Sequence, residues 1–345
     1  MKKRSVAALS AVCVSAILCA CTSEPAVPAS SDASVHRILI DTDAGADDAA
    51  AILLAAVSDN AVIEGVSVLP GNVSLEQGLD NVISILEFAG KKDIPVCPGE
   101  TVRYNGDPIE PFSVFGEDGL GDAGLVNPKG KPSEKAGVDL ILDTVKANPG
   151  EIELIMLGPA TNVARAIEKD PETMKKTKRI WTMGTAGFGK GNATEYAEFN
   201  VYGDVEAYNA LIESCIPLTV VGLDMDSEET WFYPEHIEKL KQAGGCAAFL
   251  SDACAGILKY KEANDGFPYA DLPDAVTMGC ILWDDYATEI TLCDAACVTE
   301  QGERYGGVFF TPVSPTDSNT DAHISLVTAS KKTEFTDRLT SALAE

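Results

Sequence analysis

The chain has 345 residues, with 26 Lys+Arg against 53 Asp+Glu and a formal net charge of −27. A surface this acidic repels phosphate backbones and anionic lipid headgroups, which argues against a nucleic-acid partner. With 46% hydrophobic and 23% charged residues the composition is that of a packed globular protein, and no run beyond the first twenty residues is apolar enough to span a bilayer.

Met1 to Arg4 is basic, Val6 to Ala20 is apolar, and the run closes on Leu18-Cys19-Ala20-Cys21. This resembles a bacterial lipoprotein signal peptide over residues 1–20, with cleavage before Cys21 and lipid on its thiol. An ordinary secretory signal with a chance cysteine is the alternative. Small Ala20 and the polar stretch that follows favour lipidation. Residues 21–36 are rich in Ser, Pro and Ala and read as a flexible tether. The folded domain is then expected over 37–345, extracytoplasmic, with membrane contact through Cys21 alone.

Arg37-Ile38-Leu39-Ile40-Asp41 reads as a buried strand ending in acids, and Asp47 to Ala56 as a helix. Ala61 to Leu69 is a second strand, Leu75 to Ala89 an amphipathic helix, and Ile94 to Cys97 a short third strand. Pro98 to Pro132 is a long Gly/Pro-rich stretch, and loops of that length are usually functional. Helices are expected at Glu134–Ala147, Asn162–Glu168 and Val205–Glu213, and strands at Ile152–Leu157, Arg179–Met183 and Leu218–Val221. Gly184 to Asn200 reads as irregular. Pro234–Lys261 and Asp274–Asp284 read as further helices, and Ala296–Val327 as strand-rich. Alternation of strand and helix predicts a single α/β domain with a mostly parallel, Rossmann-like sheet flanked by helices. Ligands of such sheets sit beyond the C-terminal ends of the strands.

Seven cysteines follow Cys21, namely Cys97, Cys215, Cys246, Cys254, Cys280, Cys293 and Cys297, so at least one is unpaired. Cys293 with Cys297, and Cys246 with Cys254, are near enough in sequence to pair. Their apolar surroundings favour buried free thiols instead. With no Cys-x-x-Cys and only three histidines (His36, His236, His323), zinc is not expected.

The segment Asp41-Thr42-Asp43-Ala44-Gly45-Ala46-Asp47-Asp48 places four carboxylates within eight residues. Like charges at this density repel unless a cation sits among them, and hard carboxylate oxygens suit Ca²⁺ or Mg²⁺. Helix capping accounts for Asp47 and Asp48 but not for Asp41 and Asp43. The Asp-x-Asp loop of haloacid-dehalogenase-like phosphatases is a rival reading, but those loops usually carry Thr or Val where this chain has Gly45.

The same segment resembles the N-terminal signature of the inosine–uridine-preferring nucleoside hydrolases. Further blocks match in order: Gly71-Asn72-Val73, Gly116-Glu117-Asp118-Gly119-Leu120-Gly121, Leu157-Gly158-Pro159-Ala160-Thr161-Asn162, and Met183-Gly184. Gly191-Asn192-Ala193-Thr194, Ala197-Glu198-Phe199-Asn200, Gly222-Leu223-Asp224 and Leu272-Pro273-Asp274-Ala275-Val276 complete the set. The resemblance implies a hydrolase that cleaves the N-glycosidic bond of ribonucleosides with water and bound Ca²⁺. It implies metal ligands Asp43, Asp48, Asp274 and the Leu157 carbonyl, with Asp43 as general base. Asp47, Asn72 and Asn200 would hold the ribose 2′- and 3′-hydroxyls and the water, Asn192 and Glu198 the 5′-hydroxyl, and Met183 would lie against the ribose. Asp41 would orient its neighbours, and Asn162 reads as a structural cap. Homo-oligomers are common in the family.

The chain also departs from the pattern. Pro273 and Phe115 stand where many members carry histidine, and neither His236 nor His323 lies in a matching block. The residues expected to contact the base are therefore Phe115, Tyr260, Phe267, Tyr269 and Trp283. Ala44 replaces a common proline, which should loosen the turn without removing a ligand. A lipid-anchored nucleoside- or ribose-binding protein with little catalysis is the second reading. Retention of Asp43, a water-activating base that a binder does not need, favours the enzyme.

Overall fold

The computed structural model of the protein describes residues 35–314 and 323–344. The signal segment, Cys21 and nearly all of the expected tether lie outside the described residues. The chain enters the sheet at β1 (His36–Thr42), followed by α1 (Ala46–Val57), β2 (Ala61–Val68), α2 (Leu75–Phe88) and β3 (Val96–Pro98). After a long loop come α3 (Gly137–Ala147), β4 (Ile152–Met156), α4 (Thr161–Lys169), α5 (Pro171–Met174) and β5 (Arg179–Met183). Next are α6 (Phe199–Gly203), α7 (Val205–Glu213), β6 (Leu218–Val221), α8 (Pro234–Ala243), α9 (Gly245–Ala253), α10 (Ala255–Asp265) and α11 (Pro273–Leu282). The chain closes with β7 (Ala287–Cys297), β8 (Val308–Pro312), β9 (Ile324–Ser330) and α12 (Phe335–Leu343).

The strands form one sheet of nine in the order β3-β2-β1-β4-β5-β6-β9-β7-β8. The first six and β9 pair in parallel, while β7 runs antiparallel to both β9 and β8. Helices cover both faces, so β1 is buried on each side and needs a continuous apolar run. Ile38 and Ile40 pack toward α1, α2 and α11, while Leu39 packs toward α3, α4 and α7. The next strand after β1 lies on one side of it and β4 on the other, so the strand order reverses there. That reversal opens the crevice in which open α/β sheets bind ligands. The acid loop emerges from β1 at this point.

The tail is more regular than the sequence reading had it. The apolar stripe of Phe335, Leu339 and Leu343 makes α12 an amphipathic helix against the core. The stretch expected as helix over 234–261 is broken at Gly244, whose φ of 79° no helical residue adopts, and again at Cys254. All seven cysteines are free. Cys293 and Cys297 lie on β7, where four residues of strand separate them by about 13 Å, too far for a bridge. The eight residues from Cys246 to Cys254 run along α9, about 12 Å of helix.

Candidate active site

Why does the chain after β1 fold back so tightly? Thr42 ends the strand and donates its hydroxyl to Asp48, while the Gly45 N–H donates to Asp48 Oδ2 at 2.7 Å. Asp48 thereby closes the first turn of α1, and its charge meets the positive end of the helix. Ala44 takes a left-handed φ of 62°, and its carbonyl accepts from Asn81 Nδ2 at 3.0 Å. A proline ring, held near φ about −65°, cannot adopt that backbone. Ala44 therefore holds a backbone that the common proline could not adopt. Asn81, fully buried, also donates to the Asp118 carbonyl at 2.8 Å and so ties the long loop to the acid loop.

Asp43 sits at the centre. Asn72 donates to it twice, from its backbone N–H to Oδ2 at 2.8 Å and from Nδ2 to Oδ1 at 3.2 Å. The same Nδ2 lies 3.3 Å from Asp48 Oδ2. Gly71 is required beside it, because a Cβ there would fall 1.9 Å from Asp43 Oδ2. Asp41 points away from the cavity. It accepts from Ser67 and from Asn162 Nδ2 at 2.8 Å, and Asn162 Oδ1 accepts from the Glu100 N–H. Asn162 thus ties β1 to the start of the long loop, the structural part expected of it.

Asp274 arrives from the first turn of α11. Asp47, Asp48 and Asp274, all buried, bring one carboxylate oxygen each within 4.8 Å of one another. Asp43, expected among the ligands, accepts from Asn72 beside this group and repels Asp48 and Asp274, while Asp47, expected at the ribose, belongs to the gathered three. Asp47 Oδ1 and Asp274 Oδ1 are buried without a hydrogen-bond partner among the described residues. Burial, and then repulsion from the neighbouring acids, drives Asp43, Asp47 and Asp274 well above the ordinary carboxylate range. Burial raises Asp48 as well. A buried cluster of acids with orphaned oxygens fits a hard divalent cation, which would satisfy both the charge and the lone pairs.

The ribose-binding expectations converge on one cavity of about 290 Å³, lined by Asp47, Asn72, Met183, Asn192, Glu198 and Asn200. Asn200, at the start of α6, donates Nδ2 to the Leu157 carbonyl at 2.7 Å and to the Met183 carbonyl at 3.2 Å. It thereby holds the ends of β4 and β5 together beneath the cavity. Glu198 caps α6, accepting from Asn200 N at 2.9 Å, Thr185 N at 3.1 Å and Val201 N at 3.2 Å. Burial still pushes its carboxyl up to about 7. Asn192 Oδ1 accepts from the Phe199 N–H at 2.8 Å, leaving its amide N–H groups for a ligand.

The expected base contacts divide. Phe115 and Tyr260 line the cavity. Trp283 does not, because its ring packs edge-on against Tyr286 and Phe335 in the core. Tyr269 stacks on Trp231 at 4.0 Å and Phe267 stacks on Tyr269 at 5.1 Å, both outside the lining. Phe112, Val114, Phe199, Leu223, Lys261, Asn264, Asp265 and Asp271 line it too, none of them expected there from the sequence. The Gly/Pro-rich loop was the signal for Phe112, since its N–H docks on the Gly71 carbonyl at 2.8 Å. None of the histidines lines the cavity: His36 pairs with Glu153, His236 caps α8, and His323 contacts the Ile212 carbonyl.

An acid cluster at the switch point of a parallel sheet, beneath a cavity lined by amides, suits a hard cation and a polyol ligand. Comparison with known proteins agrees. The family described as inosine-uridine preferring nucleoside hydrolase matches residues 38–337. Uridine nucleosidase 1 of Arabidopsis thaliana is 34% identical over 254 residues, 73% of this chain and 76% of that protein. The pyrimidine-specific ribonucleoside hydrolase RihA of Citrobacter koseri is 33% identical over 255 residues, 73% of this chain and 81% of that one. A solved plant nucleoside hydrolase superposes with a TM-score of 0.83 at 27% identity, covering 90% of this chain and 99% of the other. The chain belongs to the inosine–uridine-preferring nucleoside hydrolase family and is a hydrolase acting on N-glycosyl bonds.

Proposed function

We propose that the protein hydrolyses ribonucleosides to ribose and free base in a Ca²⁺-dependent reaction. The observation that carries this is the buried cluster of Asp43, Asp47, Asp48 and Asp274 at the foot of the cavity lined by Asn72 and Asn200. A Ca²⁺ ion held by Asp43, Asp48, Asp274 and the Leu157 carbonyl would supply a positive charge that acidifies water and attracts the ribose diol.

The remaining work falls to the chain. Asp43, aimed by its two hydrogen bonds from Asn72, accepts the proton of the attacking water. Asp47, Asn72 and Asn200 orient the 2′- and 3′-hydroxyls, and Asn192 and Glu198 the 5′-hydroxyl. Positive charge grows on the ribose ring as the bond to the base breaks, and the surrounding carboxylates stabilise that charge more than the neutral substrate. Met183 and Phe115 exclude water from the ring.

The protein would act outside the cytoplasmic membrane, tethered by lipid on Cys21 and supplied with extracellular nucleosides. The named relatives make uridine the first substrate to try. Incubation with a nucleoside panel and Ca²⁺, followed by assay of free ribose, tests the reading. Binding without ribose release would leave only a nucleoside-binding protein.

A further inference from the structure

The leaving base carries away the electron pair of the glycosidic bond, and no histidine stands at the cavity to meet it. One cation does. Among the described lining residues Lys261, on α10, is the only basic side chain. Its ammonium donates to Asp271 Oδ2 at 2.6 Å and rests over the Tyr269 ring at 4.7 Å from the centroid. Both members of the ion pair are largely buried, with side chains 16% and 21% exposed. The Tyr269 ring is itself fixed, stacked on Trp231 at 4.0 Å, and Trp231 Nε1 donates to Asp226 Oδ2 at 2.8 Å. An ammonium has three N–H donors, and Asp271 takes one. The position is built, braced from below, and open to the cavity.

The geometry points to Lys261 as the group that donates to the departing base, with Asp271 and Tyr269 as its positioning residues. This deepens the nucleosidase reading and rests on it. In the step, the C1′–N bond breaks and its electron pair stays on the base nitrogen. A proton from the Lys261 ammonium passes to the base. Water oxygen forms the new bond to C1′, and the proton it releases goes to Asp43. Asp43 then releases its proton to solvent, Lys261 regains one from it, and the balance is nucleoside plus water to ribose plus base. A fixed ammonium is worth most against a base that leaves as a poor anion.

The test compares leaving groups. Wild type, Lys261→Met, Lys261→Gln and Tyr260→Phe are assayed on uridine, on inosine and on 4-nitrophenyl riboside, whose nitrophenolate leaves without help. Matching circular dichroism and melting temperatures show that the variants are folded. For both Lys261 variants kcat on the nucleosides is expected to fall about 10²–10⁴-fold, and on 4-nitrophenyl riboside by less than about tenfold. Tyr260→Phe should show no such split. Equal losses on all substrates, no loss on any, or a split that follows Tyr260 instead would overturn the assignment of Lys261. A wild type that cleaves 4-nitrophenyl riboside or any nucleoside keeps the hydrolase reading whatever the variants do; one that cleaves none removes both.

Discussion

Asn72 grips Asp43 from two directions, its backbone N–H on one carboxylate oxygen and its side-chain amide on the other. The grip fixes the carboxylate where a base must stand, and the same amide lies 3.3 Å from Asp48 Oδ2. Replacing Asn72 by Ala keeps the backbone bond and deletes the amide. Asn72→Ala is expected to lower kcat about 10²-fold with a smaller rise in KM, because the aim of Asp43 is lost together with one contact to the ribose. Steady-state kinetics on uridine checks it, and an unchanged kcat would show that the amide does not position the base.

Asp43 and Asp274 should fail in different ways. Asp43→Asn removes the proton acceptor while Asp47, Asp48 and Asp274 remain gathered, so turnover should fall by about 10³-fold or more. Ca²⁺ affinity, read by isothermal titration, should fall in both Asp43→Asn and Asp274→Asn, but saturating Ca²⁺ should leave the turnover of Asp43→Asn low. Retained turnover in Asp43→Asn would remove Asp43 from the base role.

The acid cluster makes stability depend on pH with an unusual sign. Burial lifts Asp41 to about 7 from 3.8, and Asp43, Asp47 and Asp274 move the same way. Below about pH 4 both the folded and the unfolded chain hold these protons and nothing is lost. As pH rises toward the folded value, the unfolded chain has released its protons and the folded chain has not, so stability falls. The chelated protein should therefore melt at a lower temperature at about pH 8 than at about pH 5.5. Added Ca²⁺ should reverse the trend and release protons on binding. Thermal melts with and without chelator decide it, and a melting temperature that rises with pH in chelator would contradict it.

At the opposite end of the sheet Glu153 shows the ordinary sign. It accepts from His36 Nδ1 at 2.8 Å, Lys178 Nζ at 2.9 Å and Trp181 Nε1 at 2.9 Å, joining β1, β4 and β5. Burial alone would raise its carboxyl, but these donors outweigh it and hold it at about 2. Its contribution is complete above the unfolded value of 4.5 and is lost as pH falls toward 2. Glu153→Ala should cost about 1–3 kcal/mol at neutral pH, with Lys178 half in solvent and so contributing little. Urea melts measure it, and catalysis by the folded variant should be unaffected.

The ribose and metal side was legible in the sequence because β1 is a run of apolar residues that stops abruptly at acids, a pattern with few folded uses. Asn72, Asn200 and Glu198 each follow a strand, so their position at one end of the sheet came with the topology. The base side was not legible. It is assembled by the long loop and by α10, whose paths are set by tertiary contacts such as Asn81 on the Ala44 and Asp118 carbonyls. Trp283, expected at the base, caps the far end of α11, where its ring packs against the core. Nothing in the sequence around Lys261 sets it apart from a solvent-facing lysine on a polar helix. Only the fold shows it drawn in by Asp271.

The central claim is that distant acids meet around one divalent cation to split a ribonucleoside. The most direct test is ribose release from uridine and inosine by the protein after chelation, with and without restored Ca²⁺, beside Asp274→Asn. Ribose should be released with Ca²⁺, cease on chelation, return on re-addition, and be scant or absent in Asp274→Asn. Ribose release indifferent to chelation, or undiminished in that variant, would contradict it.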